Sequence, residues 1–258
     1  MFKNEPLNFE PGEKCQYCNS GYFLLSEVVA RLSGKILSKY LADNFFTPLG
    51  MYRTFMPEVG NGKTMKESGD YPNLARGYNC GIEPNSPMIE VEKYYDNTFL
   101  NGAGAIVSTV GDLVIWNYSL HNSKTLPKEV AELMLTEHVL MDPENPTAYY
   151  CYGVMKTKYS NGDVFTHDGG VTGFSTTVTY RPHDQLSFVA FTNLSVYNSA
   201  ITAAFMQEYQ NFKHLYSNPE AFQTAVRDAI EKQFPDYLVA DTRHALMHLK
   251  DIVTLDTK

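Results

Sequence analysis

Two predicted β-hairpins constrain the fold of this chain more than any other feature. Residues 150–159 and 164–167 have the aromatic and β-branched content of strands, and the turn sequence Ser-Asn-Gly-Asp separates them. Residues 173–180 and 186–192 form a second strand pair, joined by a turn that contains proline and aspartate. Two consecutive hairpins predict an antiparallel sheet.

Helical patterns precede and follow the hairpins. Apolar residues at three- and four-residue steps predict a first helix, which begins at Asn19-Ser20 as its cap and stops at Gly34. A second helical period begins behind a Ser/Thr cap and contains Leu113, Trp116 and Leu120. Further helical stretches are predicted over residues 35–46, 128–136 and 199–216.

Helices, one antiparallel sheet and then more helices indicate an α+β fold in which helices cover the sheet. We assign residues 1–217 to one domain and residues 218–258 to a C-terminal helical extension, where apolar residues recur at four-residue steps. Residues 57–98 are rich in Gly, Pro, Asn and Asp and predict a long irregular connection. Loops of this length often carry or cover a site, so this one is expected to shape the choice of substrate.

Charge and hydropathy exclude several classes of function. The chain has 21 Lys and Arg residues against 29 Asp and Glu, a net charge of −8, and no dense basic cluster. Binding to nucleic acid or to an anionic membrane is therefore not expected. No apolar run approaches the ~20 residues that a membrane-spanning helix needs. No secretory signal peptide is predicted at the start of the sequence, and the compartment stays open.

Two residue pairs have the spacing of metal ligands. Cys15 and Cys18 form a Cys-x-x-Cys pair, but no second pair accompanies it. His244 and His248 lie four residues apart, but the sequence between them lacks the glutamate of His-Glu-x-x-His. Neither pair predicts a metal site, and we expect no cofactor.

Five residues have the chemistry of a substrate site. Tyr17 stands directly before the first helix, and Asn19 is placed either to cap that helix or to hold a substrate amide. His167 ends a predicted strand, and Gly169 and Gly170 after it would let a substrate lie against bare backbone as an added strand. Taken singly, Tyr17 is better explained as an interfacial aromatic residue, Asn19 as a plain cap and His167 as a strand-end histidine.

Four stretches, taken in order, resemble the motifs of the serine β-lactamase-related family. This family includes class C β-lactamases, DD-peptidases, D-aminopeptidases and esterases of one fold. The first stretch contains Phe9-Glu-Pro-Gly and Tyr17-Cys-Asn-Ser-Gly-Tyr, and the second is Phe46-Thr-Pro-Leu-Gly-Met-Tyr-Arg-Thr. The third is Gly102-Ala-Gly-Ala-Ile-Val-Ser-Thr-Val-Gly-Asp-Leu, and the fourth is His167-Asp-Gly-Gly-Val-Thr-Gly-Phe. Their ordered co-occurrence favours the functional interpretation of the site residues.

The resemblance implies a β-lactamase/transpeptidase-like fold with a helical subdomain, and it implies residue roles. By this resemblance, Tyr17 acts as a proton relay and Asn19 contacts the substrate amide. His167 stands where β-lactamases carry the lysine of Lys-Thr-Gly, and Gly170, next to Gly169 in the substrate-binding strand, offers an N–H to an oxyanion. A histidine at this place favours the peptidase and esterase branch. Because tyrosine side chains ordinarily ionise near pH 10, such a relay needs nearby cations or hydrogen bonds.

The nucleophile motif of the family, Ser-x-x-Lys, has no match in this sequence. No serine is followed by lysine three positions later, and a Gly-x-Ser-x-Gly elbow is also absent. In the family this motif precedes the tyrosine motif and lies on a buried helix, next to further sheet strands. We therefore expect the domain to be incomplete at its N-terminal side, with a sheet edge and an apolar groove uncovered.

Two functions fit these observations. The first is a serine hydrolase that cleaves an amide, ester, D-amino-acyl or peptide substrate through an acyl-enzyme, and that is inactive until a separately encoded N-terminal half supplies serine and lysine. The alternative is a non-catalytic protein that keeps the cleft as a peptide- or ligand-binding module, or as a scaffold.

Overall fold

A six-stranded antiparallel sheet with helices packed beside it forms the centre of the fold. The computed structural model describes residues 5–57, 74–79, 87–91, 97–122 and 126–195, with scattered positions between 207 and 232. The helices are α1 (Asn19–Ser33), α2 (Leu37–Leu41), α3 (Val110–His121) and α4 (Lys128–Leu135). The strands are β1 (Tyr78–Asn79), β2 (Ile89–Glu90), β3 (Val139–Leu140), β4 (Ala148–Tyr150), β5 (Met155–Tyr159), β6 (Gly162–Val171), β7 (Phe174–Arg181) and β8 (Leu186–Thr192).

The large sheet has the strand order β3-β4-β5-β6-β7-β8, and every neighbouring pair is antiparallel. Both predicted hairpins are confirmed, as β5–β6 and β7–β8. The predicted strand over residues 150–159 is wrong in one respect: it is two strands, β4 and β5. The chain turns between them at Gly153, whose φ of +78° lies in the left-handed region that glycine adopts without strain.

Strand β6 is longer than the sequence predicted. His167 does not end the strand, because pairing with β7 continues to the pair formed by Val171 and Phe174. The chain then reverses at Gly173, which has a φ of +86°. His167 is therefore held within a strand, directly opposite Val178, rather than at a loose strand end.

Helix α1 matches its predicted bounds but not its predicted cap. It stops at Gly34, which has a φ of +69° and donates its N–H to the carbonyl of Ala30. The residue at the N-cap is Cys18, with extended backbone, and Asn19 is the first helical residue. The explanation of Asn19 as a plain helix cap is therefore wrong. Helix α3 has the predicted Ser/Thr cap, since Thr109 Oγ1 accepts the N–H of Asp112.

The side of α1 that faces the described part of the protein carries the buried Ser26 together with the half-buried Tyr22, Phe23 and Val29. Ser26 is 3% exposed, and a Cβ added at Gly102 would lie 2.8 Å from the carbonyl oxygen of Tyr22 and 3.0 Å from the Ser26 Cβ. Gly102 belongs to a 3-10 segment, Asn97–Ala103, that packs closely on α1. Four large apolar side chains of the helix are 47–85% exposed instead, namely Leu24, Leu25, Val28 and Leu32. This set is called the α1 apolar face below.

Two of the sequence motifs are joined in a hydrogen-bonded brace. Asp112 Oδ2 accepts the backbone N–H of Arg53 at 2.9 Å and the hydroxyl of Thr54 at 2.8 Å. The Thr54 hydroxyl also lies 2.7 Å from the Ser108 hydroxyl. Since Thr54 and Asp112 are buried, these bonds satisfy polar groups that would otherwise destabilise the fold. The second and third motif stretches therefore have a structural role.

Helix α3 covers one part of the sheet by packing on β7 and β8. The Asn117 amide donates to the carbonyl of Thr179 at 2.9 Å and to the Ser187 hydroxyl at 2.8 Å. At the end of the helix, the His121 ring stacks on Tyr180, with ring centroids 4.1 Å apart. These contacts build the predicted helix-on-sheet arrangement.

Several predictions fall on residues that the structure does not describe. They are the extension at 218–258 with its His244 and His248, and most of residues 57–98 and 199–216. The division into two domains at 217 therefore stays a prediction. Within the described ranges, no cluster of three or more potential metal ligands occurs. None of the helices described there is long and apolar enough to cross a bilayer.

Candidate active site

Three rings from distant parts of the sequence lie together at one end of the sheet. The Tyr17 centroid is 6.1 Å from that of His167 and 6.3 Å from that of Tyr150. Tyr150 and His167 are 6.1 Å apart by centroid, and the Tyr150 hydroxyl lies 3.1 Å from His167 Nε2. The structure thus brings together the two predicted catalytic residues, Tyr17 and His167, and adds Tyr150 at a similar distance from both.

Local structure explains why each ring reaches this place. Tyr17 lies in the extended segment just before α1, and its side chain is 60% exposed. His167 projects from the same face of β6 as Phe165, because the two residues are two positions apart in a strand. Phe165 is buried and lies beside the His121 ring of α3. Further along the strand His167 is only half-buried, which leaves it accessible from the cleft.

One edge of β6 has no neighbouring strand next to these rings, within the residues that the structure describes. Strand β5 pairs with β6 only as far as Thr166. Residues 167–171 therefore have β7 on one side, and on the other side no strand of the described ranges pairs with them. Unpaired N–H and C=O groups along a strand are a template for an extended ligand.

The two glycines of this edge differ in their surroundings. A Cβ added at Gly169 would lie 2.6 Å from the Thr176 hydroxyl, so a side chain at this position would displace its neighbour in β7. A Cβ added at Gly170 would meet nothing within 4 Å, and this residue is exposed. Gly170 therefore presents bare backbone to solvent beside His167. Asn19, the remaining predicted binding residue, is exposed in the first turn of α1, two residues from Tyr17.

Tyr150 was not predicted as a site residue. Burial raises the pKa of the Tyr150 phenol above its usual range. Its phenol therefore stays protonated at neutral pH. The single strand predicted over residues 150–159 gives no signal for this position; the contact follows from the observed pairing, which places Tyr150 opposite Met155 and Met155 opposite Thr166, one residue from His167.

These residues supply part of the chemistry of acyl transfer. Two phenols and an imidazole can donate and accept protons, and the β6 edge presents backbone groups to a substrate carbonyl. The sequence contains no serine with lysine three positions later to act as the activated nucleophile.

This antiparallel sheet flanked by helices has the penicillin-binding-protein-like fold, which the solved penicillin-binding protein of Bacillus halodurans shares with a TM-score of 0.64. The Beta-lactamase family profile matches residues 1–208. The chain belongs to the Beta-lactamase family, whose fold is that of serine hydrolases.

Three similar proteins illustrate this membership. The unguisins hydrolase ungD of Aspergillus violaceofuscus is 27% identical over 206 residues, which cover 71% of this chain and 35% of that protein. The D-aminopeptidase of Gluconobacter oxydans is 24% identical over 188 residues, or 72% of this chain and 33% of that protein. The crystal structure of a D-stereospecific amidohydrolase from Streptomyces sp. superposes with a TM-score of 0.61 at 24% identity, covering 72% of this chain and 52% of the other. The chain spans about a third of the length of these two curated relatives.

Proposed function

We propose that this chain provides the tyrosine and histidine side of an acyl-transfer active site that hydrolyses an amide bond in a small D-amino-acyl or peptide substrate, or a corresponding ester. Tyr17 relays the proton between nucleophile and leaving group, and His167 supports that relay from β6. The observation that carries the proposal is the approach of the Tyr17 ring to His167, at a place on β6 where pairing with β5 has ended.

The substrate class is proposed from the shape of the edge and from the names of similar proteins. An extended peptide or amide would align along residues 167–171, with its carbonyl oxygen toward the Gly170 N–H and its amide toward Asn19. Gly169 allows this backbone to stay close to β7. A D-aminopeptidase and a D-stereospecific amidohydrolase are among the similar proteins, so D-amino-acyl amides are the first compounds to test.

The nucleophile is proposed to come from polypeptide outside these 258 residues, because the sequence contains no Ser-x-x-Lys. The chain alone is then inactive. The α1 apolar face is the surface proposed to receive that polypeptide. Its four apolar side chains are 47–85% exposed, which is more than the apolar stripe of a surface helix normally shows. The matched relatives are longer than this chain, and the polypeptide proposed to cover this surface corresponds to the rest of their fold.

Covalent labelling tests this function. The chain is treated with a fluorescent fluorophosphonate and with labelled penicillin, alone and after co-expression with the polypeptide encoded immediately upstream. We expect no labelling of the chain alone and stable labelling of a serine in the upstream polypeptide when both are present. Turnover of a D-amino-acyl amide by the pair should fall at least tenfold in Tyr17→Phe, whereas the exposed Tyr159→Phe, as matched control, should keep the wild-type rate. Strong labelling of the chain alone would refute the proposed source of the nucleophile.

A binding module without catalysis is the second candidate. The exposed backbone of Gly170 favours it, since an extended peptide can add to a strand without any nucleophile. Titration of D- and L-amino-acyl amides against the chain, followed by NMR, separates the candidates. If an amide perturbs the signals of residues 167–171 and is turned over neither by the chain alone nor by the co-expressed pair, the chain is a binding module.

A further inference from the structure

Tyr150 occupies a gap that the sheet topology creates beside His167. It is the last residue of β4, and β5 begins at Met155, which pairs with Tyr150 on one side and with Thr166 on the other. Beyond this pair, no described strand separates β4 from β6. The Tyr150 side chain reaches across this space, and its hydroxyl lies 3.1 Å from His167 Nε2.

The partners of the two ring nitrogens determine the tautomer of the neutral His167 ring. Nδ1 lies 2.8 Å from the backbone carbonyl oxygen of Asp168, which can only accept a hydrogen bond. Nδ1 must therefore carry the proton. Nε2 is then an acceptor, and the Tyr150 hydroxyl donates to it. Both nitrogens of the neutral ring have a hydrogen-bond partner, so the neutral ring is held in one orientation and as one tautomer.

Tyr150 is itself prepared to act as the donor. Burial raises its pKa, so the hydroxyl keeps its proton throughout the neutral range and can donate it to His167 Nε2. The Tyr150 ring also meets the Tyr17 ring edge to face, at an interplanar angle of 74°. A single side chain thus contacts both members of the candidate catalytic pair.

We propose that Tyr150 is a positioning residue for the active site: its hydroxyl holds neutral His167 as the Nδ1–H tautomer and fixes the imidazole beside Tyr17. With Nε2 occupied, His167 is not the base that takes the substrate proton. That role falls to Tyr17, and His167 acts as an oriented neighbour. The reaction that this arrangement serves rests on the proposed function, but the tautomer is a property of the chain alone.

Nitrogen-15 NMR of the histidine side chains at pH 8 tests the inference. The His167 signals are assigned among the seven histidines with a His167→Gln variant. We expect the wild-type ring to be mainly the Nδ1–H tautomer. In Tyr150→Phe, the ratio of Nε2–H to Nδ1–H should rise about fivefold, as expected for the loss of one hydrogen bond of typical strength. The control Tyr159→Phe removes a hydroxyl from an exposed ring and should leave the ratio unchanged.

Two results would overturn the inference. One is a wild-type His167 that is mainly the Nε2–H tautomer, which needs no folded variant to observe. The other is a Tyr150→Phe protein that keeps native dispersion of its other histidine signals and an unchanged His167 ratio. Neither result depends on covalent labelling, so the failure of this inference and the failure of the proposed function are distinguishable.

Discussion

Replacing Leu32 by glutamine separates the stability of this chain from the function of its α1 apolar face. Leu32 is 85% exposed. Full burial of a leucine side chain stabilises a protein by about 2 kcal/mol, so the small buried part of Leu32 contributes about 0.3 kcal/mol. Leucine and glutamine have similar helix propensities. The free energy of unfolding of Leu32→Gln should therefore lie within about 0.5 kcal/mol of the wild-type value.

The affinity for the polypeptide proposed to supply the nucleophile should respond differently to Leu32→Gln. If Leu32 becomes fully buried there, about 1.7 kcal/mol of burial is lost in Leu32→Gln, which weakens binding about fifteenfold. Urea unfolding followed by circular dichroism measures the first quantity, and titration with the polypeptide encoded upstream measures the second. Leu133→Gln is the matched control, because Leu133 is 52% exposed on α4 and lies outside the α1 apolar face.

A positive control sets the scale of the stability measurement. Leu120 is 3% exposed in α3, and Leu120→Ala should lower the free energy of unfolding by about 3 kcal/mol. A loss of more than about 1 kcal/mol in Leu32→Gln would show that Leu32 is buried in the chain as it exists in solution. Self-association through the α1 apolar face would produce that loss, and it would refute the reasoning that this face receives a different polypeptide.

Two further predictions concern the packing around the site. Burial lowers the pKa of His121 from 6.5 to about 4, so below pH 7 the unfolded chain binds a proton that the folded chain does not. The free energy of unfolding should therefore fall as the pH drops toward 4, by about 1.4 kcal/mol at pH 5.5. Urea unfolding at several pH values measures this fall, which should be absent from His121→Phe. Parallel pH profiles for the wild type and the variant would contradict the prediction. Gly102→Ala should destabilise by about 2 kcal/mol, because its Cβ would meet the Tyr22 carbonyl at 2.8 Å, whereas Gly111→Ala, with open space around it, should not.

The hairpins could be predicted because their signals are local. Turn residues and alternating side chains lie within a few positions of each other, and the β5–β6 and β7–β8 turns follow from them directly. The length of β6 could not be predicted in the same way, because its final residues belong to the strand only through their pairing with β7. The contact between Tyr150 and His167 depends on where β5 begins, which the turn at Gly153 determines. A pattern search that treated residues 150–159 as one strand had no means of placing that gap.

The α1 apolar face shows a second limit of the sequence. The leucine spacing predicted the helix correctly, but the same spacing predicts that the leucines point into the protein. In the structure they point out, because the segment that packs on α1 meets its other side, where Ser26 and Gly102 allow a close approach. Helical periodicity identifies an apolar stripe, and it does not identify which polypeptide covers that stripe.

The position of α1 connects this exposed stripe with the chemistry of the site. Tyr17 lies two residues before the helix, at the end that carries Leu24 and Leu25. The same site holds Tyr150, His167 and the part of β6 that no described strand pairs with on one side, but it holds no Ser-x-x-Lys nucleophile from this sequence. On the proposed function, one docking event would bury the apolar side chains and bring a nucleophile to the phenol. On this reasoning, variants of the α1 apolar face should reduce labelling and turnover in proportion to their loss of binding, whereas Tyr17→Phe should reduce turnover and leave binding unchanged.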